Sequence, residues 1–235
     1  LCDNGIAAVE AVQKARDMGI DVIILDHHQP RVDEDKNIVI PPANVIVDPH
    51  ITGGDFDDLC GAGISYRLAE KIFSKCPWMS DKQKWFFLSR MSCFAALGTV
   101  GDVVNLTYDN RKIAKEGLKN LNKGYITTGL KCLCQEAKVN IITSTSLGFL
   151  LSPIINAAGR MYDGGPKAIA NLIAHDVKDD KVDGDFQVKC LKAIEVNKSR
   201  KAIEKEAVDR DFTLINTSDM VNDNFIILID DKITT

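Results

Sequence analysis

The chain has 235 residues, 45% hydrophobic and 26% charged, the balance of a globular protein with a sizeable core. Its net charge of −4 excludes a general electrostatic pull toward polyanions; nucleic acid would need a local basic cleft, or metal ions that offset carboxylates. Seven scattered cysteines without framework spacing, no apolar stretch of membrane-spanning length and no secretory signal together imply reduced thiols in a cytoplasmic protein without membrane association.

Leu1-Cys2 reads as the end of a strand and Asp3-Asn4-Gly5 as a turn. Ala8, Val9, Val12, Ala15 and Met18 then fall on one helical face, closed by Gly19. Residues 20–25, mostly β-branched, read as a buried strand of a parallel sheet. Strand, helix and strand in this order make a βαβ unit. In such a unit Asp3 and Asp26 stand at the carboxyl ends of parallel strands, beside a common crevice, which is where open α/β sheets bind ligands. Asp26-His27-His28 therefore has two readings at this point, a set of metal ligands or a polar turn after a strand.

Residues 29–42 are charged and carry prolines, a surface loop. A third apolar run at 44–47 ends in Asp48-Pro49-His50, read as a strand-end turn near the site and not as ligands. Gly61-Ala62-Gly63 opens a helix with Ile64, Leu68, Ala69 and Ile72 on its buried side. A second helix spans 84–96; its aromatics Trp85, Phe86 and Phe87 are placed in the core, and it ends in Gly98-Thr99-Val100-Gly101-Asp102, an aspartate on a glycine-flanked turn.

Helices are expected at 110–121, 128–138 and 144–151, the last stopped by Ser152-Pro153. Cys132-Leu133-Cys134 is read as helix, with Cys132 packing as a small hydrophobe. Small residues surround Asn156 and Arg160, and the turn Asp163-Gly164-Gly165-Pro166 leads into a short helix at 167–175 that ends at His175. A charged helix at 186–209 buries Leu191, Ile194, Ile203 and Ala207, and its polar faces suit a connector between domains. Residues 225–229 read as a strand that stops as it starts, so both ends of the chain look cut.

Asp3, Asp26, His27, His28 and Asp102 form the candidate site. Carboxylates with imidazole suit Mn²⁺ or Mg²⁺, imidazole tilting the choice toward Mn²⁺. Two such ions side by side can activate water and stabilise the leaving oxygen in phosphodiester hydrolysis.

The chain resembles the DHH phosphoesterase superfamily, and within it the RecJ-type single-strand-specific exonucleases. Asp3-Asn4-Gly5, Leu25-Asp26-His27-His28, Leu59-Cys60-Gly61-Ala62-Gly63, the segment from Ala96 through Gly98-Thr99-Val100-Gly101-Asp102 to Val104, and Ile155-Asn156-Ala157-Ala158-Gly159-Arg160 occur in the family's order. The resemblance implies an α/β fold whose parallel-sheet DHH core, with helices on both faces, covers residues 1–182. A connecting helix at 183–212 and the start of a second domain at 213–235 would follow. It implies that Asp3, Asp26, His27, His28 and Asp102 bind the metal, that Asp26, His27 and His28 are catalytic, and that Asn156 and Arg160 face the DNA phosphate. It further implies 5′–3′ exonuclease action on single-stranded DNA in repair and recombination, by a monomer, with a single-strand-binding protein as a further partner.

The family's Asp-x-Asp on a strand upstream of Asp3 has no counterpart here. Asp33-x-Asp35, Asp55-x-Asp57, Asp183-x-Asp185 and Asp209-x-Asp211 do not follow apolar strands. The two-metal site is thus expected to be incomplete in these residues, with little activity from them alone. Two other classes compete: a phosphodiesterase for short oligonucleotides or signalling nucleotides, and a DHH-fold scaffold without catalysis. The Asn-Ala-Ala-Gly-Arg segment opposes the first, and the intact ligand motifs oppose the second.

Overall fold

The computed structural model describes residues 1–52, 58–177, 184–222 and 225–228. In chain order the elements are α1 (Val9–Asp17), β1 (Ile23–Leu25), β2 (Arg31–Val32), β3 (Ile38–Val39), β4 (Val45–Val47), α2 (Pro49–Thr52), α3 (Gly61–Ser74), α4 (Asp81–Gly101) and α5 (Tyr108–Asn122). They continue with α6 (Thr128–Glu136), α7 (Ser144–Ser146), a π-helical turn (Leu147–Leu151), α8 (Ser152–Met161), α9 (Gly165–Ala174), α10 (Gly184–Asn216) and a 3₁₀ turn (Asp219–Asn222). Two compact units result: Leu1–Ile126 with Ile141–Gly148, and Thr127–Asn140 with Phe149–Thr235.

The fold is α/β, and the βαβ unit is present. β1 pairs in parallel with β4, Leu25 opposite Val47, while Cys2 bridges Leu25 in parallel on the opposite edge. Val12 on α1 packs on Val22 and Ile24, closing the crossover over the sheet. The strand is shorter than the apolar run, and it alternates: Ile24 is buried, Ile23 is 52% exposed, and Ile20 is also exposed. Met18 does not join the buried face, because α1 ends at Asp17 and Gly19, at φ 77°, turns the chain. Within the expected loop, β2 and β3 form a small antiparallel pair, its turn held by Asn37 N–H donating to the Asp33 carboxylate at 2.7 Å.

The helix after Gly61 forms as expected, but Tyr66 joins Ile64 and Ala69 inside while Ile72 is exposed. α4 starts earlier and ends later than its apolar pattern. A capping box starts it: Ser80 Oγ accepts from Gln83 N–H, and the Gln83 side chain accepts from Ser80 N–H at 2.9 Å. Its inward face carries Ser89, Ser92, Cys93 and Ala96, so Trp85, Phe86 and Phe87 lie exposed and not in the core. Small inward residues let α5 approach closely. A Cβ on Gly117 would overlap the Ser92 carbonyl and the Ala96 side chain, and Asn120 Nδ2 donates to Ser92 Oγ at 2.9 Å across the contact.

In the second unit, Ser152-Pro153 starts a helix where a stop was expected. Pro153 lies where the π-helical turn runs into α8 without a break in the helical backbone, and that widened turn accommodates the proline ring and its missing N–H. α10, about 50 Å long at 1.5 Å per residue, packs against α6, α8 and α9. Its buried stripe is Cys190, Ala193, Asn197 and Ala207. Leu191 and Ile203, expected inside, are exposed, because small side chains and not the larger aliphatics face the neighbouring helices. Cys132 is buried in α6 and all seven cysteines are free thiols. Residues 225–228 adopt no strand, and Phe225 and Ile227 are exposed. Asp55-x-Asp57 and Asp183 lie outside the described residues. Among the described residues, no helix is long and apolar enough to cross a membrane.

Because α5 touches the α4 backbone at Gly117, a Gly117→Ala substitution is expected to destabilise the protein by about 2–3 kcal/mol through overpacking. Urea denaturation checks this; an unchanged midpoint would refute the close approach.

Candidate metal centre

The site is assembled at the carboxyl ends of the parallel segments. Asp3 follows Cys2, its N–H donating to the Leu25 carbonyl at 2.8 Å, and takes a left-handed φ of 59°, a conformation Asp tolerates better than most residues. The N-terminus of α3 sits directly against it. A Cβ on Gly61 would overlap the Asp3 carboxylate, which is why a glycine opens that helix. Gly98, inside α4 and not on a turn, similarly lets α4 close onto Ala62 of α3. That approach delivers Asp102, the C-terminal cap of α4.

Asp26 is the buried centre, 1% exposed. Its Oδ2 accepts from Ile6 N–H at 2.9 Å. Its Oδ1 accepts from His27 N–H at 2.9 Å and lies 2.7 Å from His28 Nδ1. A carboxylate only accepts, so Nδ1 of His28 carries the proton. Burial pushes the Asp26 carboxyl up, but the hydrogen bonds from Ile6, His28 and His27 outweigh it and hold it below the usual carboxylate range. The hydrogen bond to Asp26 raises the His28 imidazole, burial opposing.

His27 projects outward from this support. Its Nε2 lies 3.0 Å from Asp3 Oδ1 and 3.6 Å from Asp102 Oδ2. Donor atoms of Asp3, His27 and His28 all fall within 4.8 Å of one another, as a metal-binding group would require. Asp102 adds to the case. Its carboxylate stands at the negative end of the α4 dipole, an unfavourable place for an anion unless a cation is near. The donor set therefore fits a divalent cation.

Among the expected ligands, then, Asp3, His27 and His28 come together with Asp102 beside His27. Asp26 differs: its oxygens are turned inward and support the histidines. Asp48 is buried, and burial raises its carboxyl despite the hydrogen bond from His50 N–H. Asn156 and Arg160 belong to the other unit, both exposed, four residues apart and so on one face of α8. His175 caps the C-terminus of α9 and stacks on Phe186. Sequence reasoning missed Asn110. Fully buried, it donates to the Asp58 and Asn105 carbonyls at 2.6 and 3.0 Å and ties down the loop after Asp102. Only the absence of a hydrophobe at that helical position hinted at it.

Residues 1–99 match the DHH family, N-terminal domain. The chain carries a DHH-family domain. It is 31% identical over 211 residues to the single-stranded-DNA-specific exonuclease RecJ of Escherichia coli (strain K12), covering 86% of this chain and 34% of that protein. With RecJ of Bacillus subtilis (strain 168) it shares 33% identity over 178 residues, 74% of this chain and 20% of that one. The chain thus spans about a third or less of the length of these curated relatives. A crystal structure of exonuclease RecJ bound to manganese superposes with a TM-score of 0.71 at 24% identity, over 89% of this chain and 48% of that one. This likeness establishes the fold.

The Asp26–His28 pair predicts a pH window. A raised His28 contributes stability below its unfolded value of about 6.5 and loses it as pH rises through the folded value; a lowered Asp26 contributes above about 3.9 and loses it as pH falls through its folded value. In metal-free protein, the stability lost in His28→Ala is expected to be largest between about pH 4 and 6.5 and to shrink by pH 9. Urea melts at pH 5.5 and 9 measure it, and an equal loss at both would refute the pairing.

Proposed function

We propose that this chain is the DHH part of a metal-dependent hydrolase that cleaves phosphodiester bonds in single-stranded DNA, a 5′–3′ exonuclease of RecJ type acting in DNA repair and recombination. The observation that carries the reading is the convergence of Asp3, His27 and Asp102 at the carboxyl ends of the parallel segments. The RecJ relatives, which act on single-stranded DNA, support the substrate class. The solved relative bound to manganese supports a divalent ion.

Asp3, His27 and Asp102 would hold Mn²⁺ or Mg²⁺, the two-ion arrangement drawing on carboxylates besides these. The bound ion supplies an activated water and offsets charge on the phosphodiester. Everything else is the work of the chain. Asp26 holds both histidines from below, fixing the His27 backbone and the proton on His28 Nδ1. His28, with its second ring nitrogen left for the substrate side, is placed to steady the phosphate or pass a proton to the leaving oxygen. Arg160 and Asn156 present a guanidinium fork and an amide on one exposed face of α8, suited to gripping the phosphate backbone. With a net charge of −4, binding of DNA depends on such local cations. A monomer in the cytoplasm, working beside a single-strand-binding protein, completes the proposal.

The test is degradation of end-labelled single-stranded DNA with Mn²⁺ by the full-length protein, since these residues alone are expected to show little activity. His27→Ala is expected to lower the rate by about 10³-fold or more, as loss of a group that meets the reacting centre does. Retained cleavage would refute the assignment. Arg160→Ala is expected to raise KM for long strands with less effect on kcat, since it removes binding shared by ground and transition states. Faster hydrolysis of a dinucleotide than of a long strand would favour a short-oligonucleotide phosphodiesterase instead.

A further inference from the structure

Beside the His27 turn stands a second, shorter turn whose histidine the proposed chemistry does not use. β1 and β4 run in parallel with Leu25 opposite Val47, so the segments that leave them, 26–28 and 48–50, emerge side by side. Asp26 N–H donates to the Val47 carbonyl at 3.0 Å, which continues the pairing to the end of the strand. Past that point the ladder stops, yet one more link is made. His50 Nε2 lies 3.0 Å from the His27 carbonyl oxygen.

The chemistry of this link fixes the tautomer. A carbonyl oxygen only accepts, so Nε2 of His50 is the protonated nitrogen. Gln29 Nε2 stands 3.3 Å from Nδ1 and 3.4 Å from Nε2, so it lies against the ring without choosing between the two nitrogens, and the His27 carbonyl alone sets the tautomer. The turn that carries His50 is itself held, because its backbone N–H donates to Asp48 Oδ1 at 2.9 Å and Ile51 N–H donates to the Asp48 carbonyl at 3.0 Å. Asp48 is fully buried, so this anchor is not a fluctuating surface contact.

His27 is consequently gripped at both ends of its residue. Its N–H is fixed by Asp26 and its carbonyl by His50, leaving the side chain to point at Asp3 and Asp102. We propose that His50 is a positioning residue for the metal centre: it clamps the His27 backbone so that the His27 imidazole keeps its aim at Asp3 and Asp102. The proposal rests on the metal-site reading given under the proposed function. Partners that orient a ligand in this way typically change metal affinity about 10- to 100-fold when removed.

The experiment is Mn²⁺ titration of the metal-free protein, reading free Mn²⁺ by electron paramagnetic resonance, for the natural protein, His27→Ala, His50→Ala and His50→Gln. Binding by the natural protein is expected to weaken at least about 10-fold in His50→Ala and to recover in part in His50→Gln, whose amide N–H can donate to the same carbonyl. Thermal melts run in parallel. Unchanged affinity in His50→Ala overturns the proposal, and so does an equal loss in both His50 variants, which would mark a merely structural role. Imidazole ¹⁵N shifts of the natural protein give a reading that needs no variant to fold: the Nε2–H tautomer at His50 supports the clamp and the Nδ1–H tautomer overturns it. If the natural protein binds no Mn²⁺, or His27→Ala binds it equally well, the underlying metal-site reading fails. That outcome is seen without any change at His50.

Discussion

Everything at the site hangs on one buried carboxylate. Asp26 is 1% exposed, and an ionised group so placed costs several kcal/mol of desolvation unless its oxygens are occupied. They are occupied, by Ile6 N–H on one side and by His27 N–H and His28 Nδ1 on the other. The same bonds that keep the charge tolerable join three pieces of chain: the turn before α1, the end of β1, and the two histidines. Replacing this carboxylate by an apolar group would strand buried donors, whose loss of partners is costly in its own right. A rigid base of this kind is what a site needs if its donor atoms are to stay within tenths of an ångström of their places.

Glycines do the complementary work of bringing helices in. Gly61 lets the start of α3 meet Asp3, and Gly98 lets α4 close on Ala62, so the end of α4 arrives with Asp102 near His27. Packing and chemistry are thereby linked. The small-residue segments that look like turn signals in the sequence are points of helix contact in the fold, and each contact sets the position of one carboxylate. Asp102 at a helix C-terminus is electrostatically uncomfortable, and the cation that would relieve it is the one the neighbouring donors are shaped to take.

The two histidines of the signature are not equivalent. His27 is mostly buried and faces two carboxylates; His28 is open, tied to Asp26, and raised by that tie. Imidazole next to a carboxylate is a device for fixing a tautomer and increasing basicity. One histidine is therefore suited to hold a cation and the other to handle a proton or a phosphate. Asp26, between them, sets both.

Much of this was legible in the residues. The turn at Asp3, the apolar run before Asp26 and the third run before Asp48 specify a βαβ order through local pattern alone, and order implies which carboxylates share a crevice. Asp102 and the glycines before it were visible as a motif. What the pattern could not carry was depth and direction. Trp85, Phe86 and Phe87 looked like core and are exposed, because the rotation of α4 is decided by how closely Gly117 lets α5 approach. On α10 the buried stripe is likewise made of small residues, and Leu191 and Ile203 are exposed. Asp26 looked like one ligand among several. Only the folded chain, by setting Ile6 N–H against its second oxygen, turned it inward and made it the support. Sequence alone determined which donors lie at the strand ends, since that depends on local order; tertiary packing decided which of them face outward, since that depends on the partners met only after the chain has folded.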